Sequence, residues 1–296
     1  MKTLLVLTGP TAVGKTDLAL SLAKAINSPI INADSRQIFR EIPIGTAAPT
    51  PEQLQLVKHY FVATKSITEN YNAGQYENDC LLLLQQLFQT HNTLLLTGGA
   101  MMYIHALCHG LDYMPQTNTQ LRTQLNNLNI TQLQQKLLQL DPTYYQQVDL
   151  QNTQRLIHAL EVSITAGVPY STLRTNQPKQ RDFKIIQIVL NRPRTILYQR
   201  INNRVEQMFT DGLEQEAHNL YHLRSLNPLN TVGYKELFCY FDGQINKQEA
   251  INLIKQNTRH YAKRQLTWFR NHSNQQPTYW LNAEQTTTQD ILKLLQ

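Results

Sequence analysis

The 296-residue sequence predicts an α/β protein, a parallel sheet covered by helices on both faces and interrupted by a helical insertion. Three observations predict it. Short apolar runs at Leu4–Leu7, Pro29–Ile31 and Thr93–Leu96 alternate with helical segments across residues 1–111, the pattern of strands joined by crossover helices. The first of these runs leads straight into a glycine-bracketed loop and then a helix. The texture changes near Pro115 to a stretch rich in Gln, Asn and Leu with helical periodicity, and the strand pattern resumes only at Phe183–Leu190.

In chain order, Leu4–Leu7 reads as a buried strand, and a helix runs from about Thr16 to Ile26. The second strand ends near Asn32, a helix covers Cys80–Phe88, and the third strand stops before Gly98-Gly99. Loops at the carboxyl ends of such strands form the site, and Asp34, Gly98 and Gly99 fall there. In the insertion, a helix over Leu133–Leu140 is stopped by Asp141-Pro142, and one over Gln154–Ala166 by Gly167. A long helix follows over Gln199–Leu223, with Ile201, Val205 and Met208 on one face. Asn246 caps another with Glu249 as the reciprocal partner. That helix places Lys255, Arg259 and Lys263 on one face by i,i+4 spacing and turns Ile251, Ile254, Tyr261, Leu266 and Phe269 inward. The polar tail after Asn271 reads as peripheral. The domains expected are 1–111 with 182–296 as the catalytic core, and 112–181 as the helical insertion.

No apolar run reaches the length of a membrane span, and Leu4–Leu7 is too short for a signal-peptide core. A cytoplasmic protein with no membrane partner is expected. Three cysteines, Cys80, Cys108 and Cys239, with no CxxC and no neighbouring His cluster, exclude a zinc site or disulfide scaffold. They read as buried thiols. The formal net charge of +6 is a mild bias toward a polyanionic partner.

Gly9-Pro10-Thr11-Ala12-Val13-Gly14-Lys15-Thr16 fits GxxxxGK[ST] between a strand and a helix. Its backbone N–H groups and the helix N-terminus suit a phosphate, Lys15 neutralises phosphate oxygens, and Thr16 is placed to ligate Mg²⁺. The core is therefore P-loop NTPase-like. The motif specifies phosphate and leaves the chemistry open. A hydrolase would add an acidic residue at the end of a second strand, and Thr97-Gly98-Gly99 offers none there.

Further segments narrow the reading. Asp34-Ser35-Arg36-Gln37 and Ile44-Gly45-Thr46-Ala47 follow the second strand. Gly98-Gly99-Ala100-Met101-Met102-Tyr103, Gln154-Arg155-Leu156-Ile157-His158-Ala159-Leu160-Glu161 and the run from Arg194 through Arg200 to Arg204-Val205 come next. Val232-Gly233-Tyr234-Lys235-Glu236 and Ala262-Lys263-Arg264-Gln265-Leu266-Thr267-Trp268-Phe269-Arg270 complete the series. In this order and spacing, over about residues 4–270, the chain resembles the tRNA dimethylallyltransferase (isopentenyltransferase) family.

The resemblance implies transfer of a dimethylallyl group from dimethylallyl diphosphate to N6 of the adenosine 3′ to the anticodon, with Mg²⁺. It implies Asp34 as general base, since N6 is a weak nucleophile that must shed a proton, and Lys15, Thr16 and Arg204 around the departing diphosphate. It places tRNA contacts at Asp34, Ser35, Arg36, Gln37, Ala100, Arg122, Gln154, Arg155, Leu156, Ile157, His158, Lys263, Arg264 and Arg270. Other readings stay open. Asp34 is also a typical helix cap or Mg²⁺ ligand, Arg200 suits a solvated helix face, and Trp268 suits the core or a stacking platform. Tyr71, Tyr76 and Tyr103 are unassigned aromatics. A small-molecule kinase and a weakly active tRNA-binding paralogue are the competing functions. A monomer binding the anticodon stem-loop is expected.

Three departures stand out. Ala100 occupies the family's hydroxyl position, His158 replaces an Arg, and Val57-Lys58-His59-Tyr60-Phe61-Val62 keeps one His of a PHHLID-like segment and lacks the Asp. The family's eukaryotic zinc-finger extension is missing, so a bacterial-type enzyme is expected.

Overall fold

Leu4, Leu5, Val6 and Leu7 have no solvent exposure, which a strand reaches only when both faces are covered. In the computed structural model, which describes residues 2–115, 119–175, 177–272 and 276–295, they lie in β1 (Thr3–Thr8). The elements that follow are α1 (Lys15–Ala25), β2 (Ile30–Ala33), α2 (Pro51–Leu56), β3 (His59–Tyr60), α3 (Ala73–Leu87), β4 (Thr93–Gly98) and α4 (Met101–His109). Five helices come next: α5 (Thr119–Asn126), α6 (Ile130–Leu140), α7 (Pro142–Tyr145), α8 (Thr153–Ala166) and α9 (Tyr170–Leu173). The chain continues with β5 (Lys184–Asn191), α10 (Arg194–Thr210), α11 (Leu213–Asn219), α12 (Tyr234–Phe241), α13 (Lys247–Asn271), β6 (Thr278–Asn282) and α14 (Thr288–Lys293). Two compact units emerge, Met1–Cys108 with Arg181–Gln296, and His109–Gln180.

The first unit holds a parallel sheet in the order β3-β2-β4-β1-β5-β6. Leu5 stands between Leu95 of β4 and Ile186 of β5. One face of the sheet, Leu4, Val6, Ile31 and Leu96, packs on Tyr76, Cys80 and Leu84 of α3, on Tyr103 and Ile104 of α4, and on Phe269 of α13. The other face, Leu5, Leu7, Leu95 and Ile188, packs on Ala19 and Leu22 of α1, Leu197 and Ile201 of α10, and Ile291 of α14. Each fully buried aliphatic side chain contributes about 1.5–3 kcal/mol. A third cluster joins the loop carrying Ile38, Phe39 and Ile42 to Leu213, Tyr234, Leu237 and Ile254.

In the second unit, Leu133 and Leu137 of α6 meet Leu156, Ile157, Ala159 and Leu160 of α8 around Tyr144. Asp141 caps α7, accepting from Tyr144 N at 2.9 Å, and holds Ser171 through two further bonds of 2.6 and 2.7 Å. Gly167 closes α8, as its position in the sequence implies.

The structure corrects two expectations and adds one strand. The tail after Asn271 is not peripheral: β6 pairs with β5 along Gln187–Asn191, and Ile291 is fully buried. Its polar composition hid an edge strand that needs only one apolar face. The single helix over Gln199–Leu223 is two, because the chain turns at Asp211-Gly212 between α10 and α11. The two-residue β3 beside β2 was too short to show a period. Cys80 and Cys108 are buried thiols, and Cys239 is half-buried.

Since Ile291 anchors α14 in the core, Ile291→Ala is expected to lower the unfolding free energy by about 2–5 kcal/mol in urea denaturation.

Candidate active site

The loop between β1 and α1 is held from behind. Val13 is fully buried and roots it in the core. Gly9 sits at φ 145°, and a Cβ there would lie 2.5 Å from the Leu190 carbonyl oxygen, so the site requires glycine. The loop's carbonyls face cations. Lys15 Nζ donates to Gly9 O and Pro10 O, both at 2.9 Å. Arg200 Nε donates to Ala12 O at 2.9 Å, and Arg192 Nε to Val13 O at 2.7 Å. With the carbonyls engaged, amides are left for an anion. Two of them are already occupied: Thr11 N donates to Gln265 Oε1 at 2.9 Å and Val13 N to Pro10 O at 3.3 Å.

A cavity of about 540 Å³ opens on this loop, lined by Lys15, Thr16, Asp34, Thr97, Arg204 and Tyr261 among others. Asp34 follows β2. Its Oδ1 accepts from Arg36 N at 2.8 Å and Gln37 N at 3.2 Å, a capping role. Its Oδ2 takes no hydrogen bond within the described residues and remains an acceptor. Gln37 Nε2 donates to Thr46 O at 3.1 Å and Ala47 O at 2.9 Å, which leaves its oxygen as the group available to a ligand. Arg204, on α10, donates to Thr11 Oγ1 at 3.4 Å and Thr46 O at 3.5 Å. Arg200 is exposed on α10, in keeping with the solvated-face reading, and is also tied to the loop and lines the cavity.

Cations are crowded here. Burial, with Arg204 nearby, pushes Lys15 down to about 7 against the pull of Asp34. Burial likewise lowers the pKa of Arg204, Asp34 raises it, and Arg200 lowers it further. The cavity therefore suits an anion of high charge.

The residues also suit Mg²⁺ held chiefly by a ligand's own phosphates. Thr16 lines the cavity at the start of α1, and Thr97 Oγ1, buried with no partner, lines it too. Oxygen donors of this kind complement a hydrated Mg²⁺. Among the described residues no group of three or more His, Cys, Asp or Glu forms a self-sufficient cation site.

Other expected contacts lie elsewhere. Ser35 and Arg36 are half-buried beside Asp34. Lys263, Arg264 and Arg270 are exposed on α13, with Arg264 over the Tyr261 ring and Arg270 over Trp280. Lys255 pairs with Glu206, and Arg259 donates to Asn202 Oδ1 at 2.7 Å, so those two cations brace α10. Trp268 is half-buried against the core and stacks on His272 at 4.2 Å, which supports the core reading. Tyr76 and Tyr103 are buried and stacked at 4.3 Å, with Tyr71 edge-on to Tyr103.

In the helical unit, Gln154 and Arg155 are exposed, and Arg122 pairs with Glu161 at 3.0 Å. Burial lowers the pKa of His158, with Arg122 adding to it against the opposing pull of Glu161. Leu156 and Ile157 require correction as RNA contacts: both are fully buried in the unit's core, since they fall on the apolar stripe of α8. Ala100 packs its methyl into the α3/α4 core cluster and offers no polar contact.

Gln265 carried no expected role. It is buried on α13, accepts from Thr11 N and donates to Gly99 O at 2.8 Å, joining the phosphate loop to the end of β4. Its spacing one turn from Tyr261, which lines the same cavity, was the available signal.

A family model described as IPP transferase matches residues 37–272. The chain is 48% identical over 299 residues to tRNA dimethylallyltransferase 1 of Bacteroides fragilis, covering 100% of this chain and 98% of that one. It is 50% identical to tRNA dimethylallyltransferase 2 of Porphyromonas gingivalis over 277 residues, 92% of each chain. The crystal structure of the full-length tRNA isopentenylpyrophosphate transferase from Bacillus halodurans is similar, with a TM-score of 0.72 at 32% identity, covering 99% of this chain and 94% of that one. A eukaryotic dimethylallyltransferase acting on tRNA shares the fold at a TM-score of 0.83 and 22% identity, covering 99% of this chain and 78% of that one.

A bound polyphosphate favours the charged form of Lys15. The contribution of Lys15 to the affinity is therefore expected to be full below pH 7 and to fall as pH rises above it. Calorimetry of diphosphate binding at pH 8, in buffers of different ionisation enthalpy, is expected to show close to one more proton taken up by wild type than by Lys15→Met.

Proposed function

The chain belongs to the IPP transferase family, the tRNA dimethylallyltransferases, and on that premise we propose how its own residues carry out dimethylallyl transfer to tRNA. The donor is dimethylallyl diphosphate and the acceptor is N6 of the adenosine 3′ to the anticodon. The observation that carries this reading is one cavity holding both the open Oδ2 of Asp34 and the Lys15–Arg204 pair.

The N6 lone pair forms a bond to C1 of the dimethylallyl group as the C1–O bond breaks, and the electron pair leaves with the diphosphate. The N6 proton passes to Asp34 Oδ2. Oδ1, held by two backbone amides, keeps the carboxylate in place. Gln37, with its amide hydrogens fixed on Thr46 and Ala47, presents an acceptor that suits the second N6 hydrogen. Lys15, Arg204 and the open loop amides meet the charge growing on the leaving group. Mg²⁺, held by Thr16 and the diphosphate oxygens, supplies further neutralisation when bound.

A base-modifying enzyme works on an unstacked base, so the RNA must be gripped away from the cavity. The exposed Lys263, Arg264 and Arg270 suit its phosphates, and Gln154, Arg155 and Arg122 of the helical unit suit the anticodon stem-loop. We place the enzyme in the cytoplasm with its tRNA.

Incubation with unmodified tRNA, Mg²⁺ and labelled dimethylallyl diphosphate is expected to put label into tRNA. Salt-sensitive tRNA binding without label would overturn the reading. Asp34→Asn keeps the capping oxygen and removes the base. It is expected to cut label transfer by about 10²–10⁴-fold with tRNA affinity within a few-fold. Lys263→Ala is expected to reduce the slope of log affinity against log salt by about one.

A further inference from the structure

Two segments of the sequence hold no reacting group in the chemistry above, Ile44-Gly45-Thr46-Ala47, which enters it only through the Thr46 and Ala47 carbonyls, and Val232-Gly233-Tyr234-Lys235-Glu236. They meet at Glu216 on α11. Its Oε2 accepts from Ile44 N at 2.9 Å, and its Oε1 accepts from Gly45 N at 2.8 Å and from Tyr234 Oη at 2.5 Å. A half-buried carboxylate taking three hydrogen bonds from two directions is a strong, directional tie. Tyr234 is fully buried on α12, and its hydroxyl lies directly beneath Gly45: a Cβ there would fall 2.4 Å from Oη and 2.6 Å from Cζ. Burial, with Glu216 beside it, pushes the Tyr234 hydroxyl well above its ordinary pKa, so it stays a donor.

We propose that Glu216, with Tyr234, is a positioning residue that sets the general base and the leaving-group arginine by clamping the 44–47 turn. The next residues of that turn carry the consequence. Thr46 O and Ala47 O receive the Gln37 amide, and Thr46 O also receives Arg204 Nη2. Gln37 N in turn holds Asp34 Oδ1. A line of hydrogen bonds and intervening backbone thus runs from Glu216 through the turn to Gln37, Asp34 and Arg204, and each of the two sequence segments supplies part of its first link. Glu216 touches no reacting atom. A small displacement of groups that must align with a reacting centre is nevertheless costly to rate.

The test rests on the prenyl-transfer reading, and the wild-type assay separates the two: no label transfer by wild type defeats that reading and leaves the clamp to be judged by hydrogen exchange. Glu216→Gln retains size but aims an amide N–H at one of the backbone donors. It is expected to release hydrogen-exchange protection at Ile44 and Gly45 and to lower kcat by about 10- to 100-fold, with KM for tRNA within a few-fold and the melting temperature near that of wild type. Glu216→Asp, which keeps both acceptors one methylene back, is expected to recover part of kcat. Tyr234→Phe, which leaves the two backbone bonds, is expected to lose less than Glu216→Gln. Faster exchange at Ile44 and Gly45 with unchanged kcat would overturn the proposal, as would unchanged exchange. A fall in kcat matched by global unfolding in Glu216→Gln but not rescued by Glu216→Asp would also overturn it.

Discussion

The grip on the phosphate-loop carbonyls is the constraint from which the site follows. A loop of this type binds an anion only if its amides turn one way, and so its carbonyls must be satisfied on the other. Lys15, Arg192 and Arg200 do this at Gly9, Pro10, Ala12 and Val13. The solution leaves Lys15 buried at the cavity beside Arg204, and burial first, then Arg204, depresses it to about 7 against the pull of Asp34, while Arg192 is balanced by Glu284 at 3.2 Å. The free protein thus carries an electrostatic tension that a highly charged anion, such as the proposed diphosphate, would relieve.

Much of this was legible because the signals were local. A strand, a glycine-bracketed loop and a helix start lie within sixteen residues, and the change of composition near Pro115, with the pause in the strand pattern, marked off the insertion. What escaped depended on contacts distant in sequence. Gln265 meets Thr11 across 254 positions, and nothing about a glutamine on a helix announces a backbone donor and acceptor on either side of it. Glu216 is equally silent, since its partners at 44, 45 and 234 are brought together only by packing. The edge strand β6 escaped because one covered face leaves half of its residues free to be polar. Leu156 and Ile157 show the reverse error: a motif marks a segment, whereas the stripe of a helix decides which of its side chains point outward.

Asp34 shows why single-role readings of a short acidic residue fail. Capping and proton abstraction are usually weighed as alternatives, yet a carboxylate has two oxygens. Here Oδ1 takes Arg36 N and Gln37 N while Oδ2 stays open. In the proposed role as base, the cap would serve proton abstraction, because a carboxylate free to rotate would lose its orientation toward the nucleophile.

The two hydroxyl positions at the end of β4 answer different needs. Thr97 is paired in register with Leu7 of β1 and Asn32 of β2, and neighbours in register share a face. Leu7 faces α1, so Thr97 presents its unpartnered hydroxyl on the phosphate-loop side of the sheet. Ala100 lies with Val6, Ala33, Tyr76 and Tyr103 on the opposite side. The hydroxyl absent at Ala100 is therefore not restored by Thr97, which stands on the side of Lys15 and Thr16. One hydrogen bond is worth about 0.5–1.5 kcal/mol net, small beside what the diphosphate grip and an oriented base supply. In the proposed reaction, the loss at Ala100 would therefore be felt on the α3/α4 side of the sheet, away from Lys15 and Thr16, which would meet the leaving group's charge on the other side.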